Sequence, residues 1–175
     1  MKRRICACCA VLLLGALAAG CGKTAAPENA PENEPEITSF ALTWGCYGIS
    51  SYDSATGALV KTTDATHPED YVTEYRLTEQ ERQEVWQLLR ELDANSYPDR
   101  YSPNPELHSE PSETLILTVR TAAGEKTITA RDTAFASTAE SAEGRAFLQT
   151  CRTIERLLTG TEAWKALPEY EFFYE

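Results

Sequence analysis

The feature that most limits what this chain can fold into is its N-terminal leader. Lys2, Arg3 and Arg4 carry three positive charges, and no charged residue follows until Lys23. The densest apolar part, residues 11–17, has the length of the hydrophobic region of a secretory signal, and small residues follow it. Many of the uncharged residues are Cys, Ala or Gly, which favours a signal over a membrane-spanning helix. The leader therefore predicts export and takes these residues out of the folded domain.

The end of this leader carries a second signal. Residues 17–21 read Leu-Ala-Ala-Gly-Cys, a segment that resembles the lipobox of bacterial lipoproteins, although its leucine stands one position further upstream than usual. The resemblance implies that residues 1–20 are cleaved and that the Cys21 thiol receives a diacylglycerol, since stable anchoring takes two acyl chains. The cell membrane is then a partner, reached through the lipid from the extracytoplasmic face. The alternative is a secreted protein in which Cys21 is an incidental free thiol.

Net charge limits the classes of partner that the chain can bind. Removal of residues 1–20 takes away three basic residues and no acidic one, which leaves 13 Lys+Arg against 27 Asp+Glu and a formal net charge of −14. Such a chain repels phosphate backbones, so nucleic acid is excluded as a partner. After the lipid-bearing cysteine, residues 21–36 contain Pro-Glu-Asn repeats and no large apolar side chain. This composition predicts an extended tether.

Beyond residue 36, apolar residues alternate with polar ones. Phe40, Leu42, Trp44 and Cys46 occupy every second position, which predicts one buried face of a strand. Turn-forming residues at 53–57 precede a return strand that begins at Ala58. Further strands are predicted over 71–77 and, as a hairpin with its turn at 122–124, over 114–120 and 126–131.

Two longer helices are predicted. Thr78 and Glu81 form a capping box at the start of the first, whose core stripe is Val85, Leu88, Leu89 and Leu92. The second is predicted over residues 140–158 and ends before Gly160. Its apolar face consists of Phe147, Cys151, Ile154 and Leu158. A short helix follows at 162–166, and the aromatic tail, residues 170–175, is expected to pack on the body of the domain.

These elements predict the fold class. Strands joined by short turns pair antiparallel, and amphipathic helices cover one face of the sheet they make. We therefore expect an α+β fold, a two-layer sandwich of a mostly antiparallel sheet of about five strands with two main helices on one face. Residues 37–175 form a single globular domain under this interpretation, and a domain of this size needs no metal or disulfide to hold it.

The sequence contains no catalytic or cofactor signature. A Gly-x-Ser-x-Gly elbow, a His-Glu-x-x-His motif and a Gly-rich phosphate loop are all absent, so no catalytic residue, metal or cofactor is predicted. His67 and His108 are the candidates for a small cell-envelope hydrolase assembled from distant positions. Asp64, His67, Glu69 and Asp70 offer ligand atoms for a cation. An exposed polar turn accounts for the same four residues.

Cys46 and Cys151 lie on the apolar faces of a strand and a helix. In a two-layer fold these faces meet, and an exported protein retains disulfides, so the two cysteines are candidates for one. The alternative is a pair of buried thiols that act as small apolar side chains.

The segment from residue 95 to 112 is the candidate binding site. It contains four prolines and no periodic pattern, and long irregular segments within compact domains are often functional. Tyr97, Arg100 and Tyr101 are the residue types that interfaces favour. The alternative is a covering flap in which the tyrosines pack over the edge of the core.

The chain as a whole resembles small lipoproteins of anaerobic Gram-positive gut bacteria that have no known activity. The segments that carry the resemblance are the lipobox and residues 51–57, 88–98, 114–119 and 164–168, spread over most of the chain beyond the leader. The resemblance implies one surface-anchored domain and no catalytic residue.

These observations together favour a lipid-anchored extracytoplasmic domain that binds a protein, a peptide or an envelope component. A small cell-envelope hydrolase and an enzyme inhibitor are the alternatives.

Overall fold

The computed structural model describes residues 36–46, 49–61, 68–106, 108, 110, 112–133, 139 and 141–169. The predicted signal peptide, the predicted lipidation site Cys21, the predicted tether to residue 35, Asp64, His67 and the tail from 170 lie outside these residues. The strands are β1 Ile37–Trp44, β2 Ser50–Asp53, β3 Ala58–Lys61, β4 Val72–Glu74, β5 Arg100–Tyr101, β6 Thr114–Thr121 and β7 Gly124–Arg131. The helices are α1 Glu79–Leu92, α2 Ala142–Thr159 and α3 Glu162–Lys165, with 3-10 turns at Pro68–Tyr71 and Ala94–Ser96.

The strands form one sheet in the order β4-β3-β2-β1-β6-β7-β5. Every neighbouring pair is antiparallel except β5 and β7, which run parallel. The predicted α+β class with a mostly antiparallel sheet is confirmed, and the expected count of about five strands is too low. The additional strands are β2, whose four residues precede a turn, and β5, whose two residues follow a proline. The strand expected over 71–77 is shorter: a 3-10 turn takes its first residue, Tyr71, and the strand ends at Glu74.

One side of the sheet, the covered face, packs against the helices. Leu42 on β1 pairs with Leu117 on β6 and with Tyr52 on β2, and all three are buried. Further buried apolar residues of the covered face are Phe40, Trp44, Leu59, Leu115, Val119, Ile128 and Ala130. They form one core cluster with the helix side chains Val85, Leu89, Leu92, Phe147, Leu148, Cys151, Ile154 and Leu158. Because apolar burial is the dominant favourable term in folding, this cluster holds the two layers together.

The other side of the sheet, the open face, carries smaller and more polar side chains. The strand registers place one straight row across all seven strands, from β5 to β4: Arg100, Thr129, Ile116, Thr43, Ser51, Val60 and Val72. Each of these side chains is half-buried or exposed. Next to the row, the hydroxyl groups of Thr118 and Thr127 lie 2.9 Å apart across β6 and β7.

The helix termini follow the predicted capping signals. The Thr78 side chain accepts a hydrogen bond from the Glu81 backbone N–H, and the Thr78 backbone N–H donates to the Glu81 carboxylate at 2.8 Å. Both halves of the capping box are therefore present. At the start of α2, Ser141 accepts from the Gly144 N–H at 2.8 Å. Of the stripe predicted for α1, only Leu88 is half-buried rather than buried. In the described part of the chain, no helix combines the length and apolar character needed to cross a bilayer.

Candidate binding site at the β5 edge

The predicted binding segment begins where α1 ends. Asp93 adopts a left-handed conformation with φ 47°, and its backbone N–H donates to the Arg90 carbonyl, which ends the helix. A 3-10 turn over Ala94–Ser96 then leads the chain into β5 at the edge of the sheet. Part of the segment expected to be irregular is thus held as regular structure.

Tyr97, one of the three predicted binding residues, is buried in the structure. Its side chain is 6% exposed and lies against Phe147 with the ring centroids 5.6 Å apart. Its hydroxyl donates to the Glu143 carbonyl at 2.9 Å, and burial raises the pKa of Tyr97 to about 12. For Tyr97 the structure supports the covering-flap alternative, because the ring joins the segment to α2.

Tyr101 has one side in this aromatic cluster and one side toward solvent. Its ring makes edge-on contacts with Tyr97, at 5.2 Å between centroids, and with Phe147, at 5.6 Å. It remains half-buried. Because edge-to-face aromatic pairs have preferred geometries, these contacts hold the backbone of β5 at the rim of the core.

A groove of about 480 Å³ opens beside β5, lined by Arg100, Tyr101, Ser102, Thr129 and Arg131. Arg100 is paired in register with Thr129, and Arg131 stands two residues further along β7 on the same side of the sheet. Strand spacing and rise place the Cα atoms of the two arginines about 8 Å apart. Both arginine side chains therefore leave the sheet on the open face next to Thr129, and both line the groove.

Neither arginine is neutralised. Arg100 and Arg131 are exposed and form no ion pair within the described part of the chain. The acidic residues closest in sequence have other partners: Asp99 accepts from the Lys126 ammonium at 2.6 Å, and Asp132 lies 3.9 Å from His108. In a strongly acidic chain, two unpaired guanidinium groups side by side form a local positive site.

The end of β7 is held in place from α2. The Asp132 N–H donates to the Ser112 hydroxyl at 3.3 Å, and the Thr133 N–H donates to the Glu113 carbonyl at 3.2 Å. The Arg152 side chain donates to the Thr133 carbonyl at 3.2 Å and to the carboxylates of Glu113 and Glu155. These hydrogen bonds fix the strand end that presents Arg131.

The backbone of β5 also faces outward. The Thr129 N–H donates to the Asp99 carbonyl at 2.8 Å. In a parallel ladder the residue between two bonded positions turns its N–H and C=O to the opposite side, and here that residue is Arg100. Since β5 is the last strand of the sheet, no described strand pairs with this edge.

One arrangement of side chains bears on the hydrolase alternative. The His108 Nδ1 lies 3.9 Å from an Asp132 carboxylate oxygen, and the Ser112 hydroxyl accepts a hydrogen bond from the Asp132 backbone N–H. A nucleophile and its base need to be within hydrogen-bond reach. Within the described residues no hydrogen bond joins Ser112 to His108, whose side chain is 86% exposed.

The other predicted site residues form no site within the part of the chain that the structure describes. Both cysteines are free: Cys151 is fully buried, and burial raises the pKa of its thiol, whereas Cys46 is half-buried. Cys46 leaves the apolar face of β1 because Gly45, with φ 88°, interrupts the alternation after Trp44. The cation interpretation retains only Glu69 as a described, exposed side chain. Among the described residues there is no cluster of three His, Cys, Asp or Glu side chains suited to a metal ion.

No protein-family model, curated protein or solved structure matches this chain.

Of the residues that line the groove, the sequence singled out Arg100 and Tyr101 and placed Ser102 in the predicted segment, but it did not indicate Thr129 or Arg131. Arg131 is the last residue of β7, and the alternation of that strand indicates from the sequence which face of the sheet Arg131 lies on. Its position beside Arg100 was not readable, because β5 pairs with β7 across the intervening hairpin and only tertiary structure sets that register.

Proposed function

We propose that this chain is a lipid-anchored extracytoplasmic domain that binds a protein, a peptide or an envelope component through the groove at β5. The observation that carries the proposal is that Arg100 and Arg131, which form no ion pair among the described residues, line one groove beside a strand edge that no described strand pairs with. Exposed arginine next to an aromatic ring is a frequent arrangement at binding interfaces. The leader, the lipobox-like segment and the acidic tether support the location.

The types of polar group that line the groove favour binding over catalysis. The groove offers hydrogen-bond donors and a hydroxyl group, and it brings no nucleophile within hydrogen-bond reach of a described base. The His108 and Asp132 pair keeps a hydrolase as the second candidate. Replacement of His108 by Ala separates the two, because it abolishes hydrolysis of an envelope substrate and leaves binding through the groove unchanged.

Crosslinking in the protein's own cells tests the binding proposal. The parent chain is expected to form adducts that disappear in the double variant Arg100→Gln/Arg131→Gln. The matched control is Arg90→Gln/Arg156→Gln, which removes the same charge from exposed positions on α1 and α2. Adducts that survive equally in both double variants would show that the groove is not the binding site.

The anchor is tested separately. Cys21→Ser removes the thiol that accepts the lipid, so the protein is expected to leave the membrane fraction while its circular dichroism and melting temperature stay unchanged. A Cys21→Ser protein that sediments with membranes as the parent does would contradict the lipoprotein assignment. The released form then serves as the soluble reference for binding measurements.

A further inference from the structure

We infer that the groove at β5 is a carboxylate-binding site, and that its ligand is an extended acidic peptide whose Asp or Glu side chain lies between Arg100 and Arg131. This inference rests on the proposed function and names the class of ligand. Its three supports are the two arginines that line one groove without an ion pair among the described residues, the hydroxyl-bearing residues Ser102 and Thr129 in the same lining, and the outward backbone of Arg100, which no described strand pairs with.

The charges favour a single, compact anion. Guanidinium groups bind carboxylates through two parallel N–H donors each, and Arg100 and Arg131 approach from adjacent strands over a shared neighbour, Thr129. The Thr129 and Ser102 hydroxyl groups, which also line the groove, are available as further donors. A carboxylate placed there neutralises a positive site that the described part of the chain leaves unpaired.

The backbone geometry favours an extended peptide over a free anion. Arg100 turns its N–H and C=O away from β7 toward the open edge of the sheet, so a peptide strand laid along β5 finds a donor and an acceptor in register. Because β5 has only two residues, this pairing supplies few hydrogen bonds, and the carboxylate contact carries the specificity.

The overall charge argues against a polyanionic ligand. A chain with 27 acidic residues and a negative net charge repels a polymer of phosphates over long range. One carboxylate on an otherwise uncharged peptide meets only the local positive site. The ligand class that satisfies both the local attraction and the long-range repulsion is therefore a peptide with an isolated acidic residue.

The test uses two end-capped peptides, acetyl-Val-Thr-Glu-Thr-Val-amide and the same peptide with Gln in place of Glu. Each is titrated into the ¹⁵N-labelled full chain in a nonionic detergent, and amide shifts are followed by NMR. We expect the Glu peptide to shift the resonances of Arg100, Ser102, Thr129 and Arg131. Only the Glu peptide can form charge-assisted hydrogen bonds with the two arginines. We therefore expect the Gln peptide to bind about tenfold more weakly.

Variants locate the effect. Arg100→Gln/Arg131→Gln is expected to abolish the preference for Glu over Gln, and Arg90→Gln/Arg156→Gln is expected to retain it. Thr129→Val keeps both charges and the shape of the side chain and is expected to weaken the Glu peptide alone. Equal binding of the two peptides to the parent chain, or shifts confined to residues outside the groove, would overturn the inference.

A titration with inorganic phosphate completes the test. If phosphate shifts the groove resonances at lower concentration than the Glu peptide, the ligand is a phosphate group and the peptide assignment is wrong. Failure of the inference is distinguishable from failure of the proposed function. Groove-dependent adducts in cells without Glu-peptide binding contradict only the ligand class, whereas the absence of such adducts contradicts the proposed function itself.

Discussion

The two faces of the same sheet differ in almost every respect. On β6, Leu117 lies on the covered face and is fully buried, whereas its neighbour Thr118 lies on the open face and is half-buried. The covered face consists mainly of large apolar side chains packed against the helices, and the row across the open face consists mainly of hydroxyl-bearing and β-branched side chains with Arg100 at one end.

The difference separates stability from recognition. Burial of apolar area stabilises the fold in proportion to the area removed from water, so the covered face dominates the free energy of unfolding. The open face contributes less to that free energy, and its polar groups stay available to a partner. At β5 the two meet, because Tyr97 and Tyr101 pack on the covered side and Arg100 points to the open side.

The sharpest test compares Tyr97 with Arg100, three residues apart. Tyr97→Ala removes a buried ring that contacts Phe147, and we expect the free energy of unfolding to fall by about 3–5 kcal/mol. Arg100→Ala is expected to change it by no more than about 0.5 kcal/mol, because the side chain is exposed and unpaired. Urea unfolding monitored by tryptophan fluorescence measures both. Similar small losses of unfolding free energy for the two variants would show that the Tyr97 side chain is exposed.

The neighbouring residues Leu117 and Thr118 test the two faces within one strand. Leu117→Ala leaves a cavity in the core, with an expected loss of about 2–5 kcal/mol. Thr118→Ala removes one hydroxyl contact with Thr127 and is expected to cost about 1 kcal/mol or less. Thermal unfolding of both variants at one pH provides the measurement. A cost for Thr118→Ala equal to that for Leu117→Ala would mean that the open face is covered in the native protein.

A smaller effect concerns the start of α1, where Glu81 accepts several hydrogen bonds. Burial raises the pKa of Glu81, but hydrogen bonds from Thr78 and Tyr75 outweigh it and lower the pKa below the ordinary value of 4.5. A lowered pKa in the folded state stabilises the fold above the unfolded pKa, and this contribution is lost as the pH falls through the folded value. We therefore expect Glu81→Gln to be less stable than the parent near neutral pH, with the difference shrinking below about pH 4.5.

The control for this pH effect lies on the same helix. Glu84→Gln changes an exposed carboxylate outside the capping box and is expected to follow the parent curve at every pH. Thr78→Ala removes the cap itself and is expected to cost about 1 kcal/mol. The free energy of unfolding is measured from about pH 3 to about pH 7, an interval that spans the ordinary carboxyl pKa. If the Glu81→Gln curve runs parallel to that of the parent over this interval, the capping box does not stabilise the charged carboxylate.

The smallest effect involves no change in stability. Cys151 is buried with a raised thiol pKa, and Cys46 is half-buried, so a maleimide reagent is expected to modify Cys46 in the folded protein and Cys151 only after unfolding. Peptide mapping by mass spectrometry distinguishes the two sites. Modification of neither residue until a reductant is added would instead establish the disulfide between them.

Some elements of this molecule were determined by the sequence alone, because their signals are local. The alternation within β1 spans three apolar positions, Phe40, Leu42 and Trp44, the hairpin of β6 and β7 has a defined turn, and α1 begins at its capping box and carries its own stripe. Each signal repeats within one element often enough to identify its type and its buried side. The α+β class follows from their order.

Tertiary structure decided the rest. β2 and β5 have four and two residues, too few for a period to show, and each is a strand only because a neighbouring strand pairs with it. The same pairing buries Tyr97 and leaves Arg100 exposed, although both residues belong to one polar, proline-containing segment. Arg100 and Arg131 lie far apart in the sequence, and the parallel register of β5 on β7 alone places them side by side. Sequence determines which side chains an element carries, and only the docking of one element on another determines which of them meet.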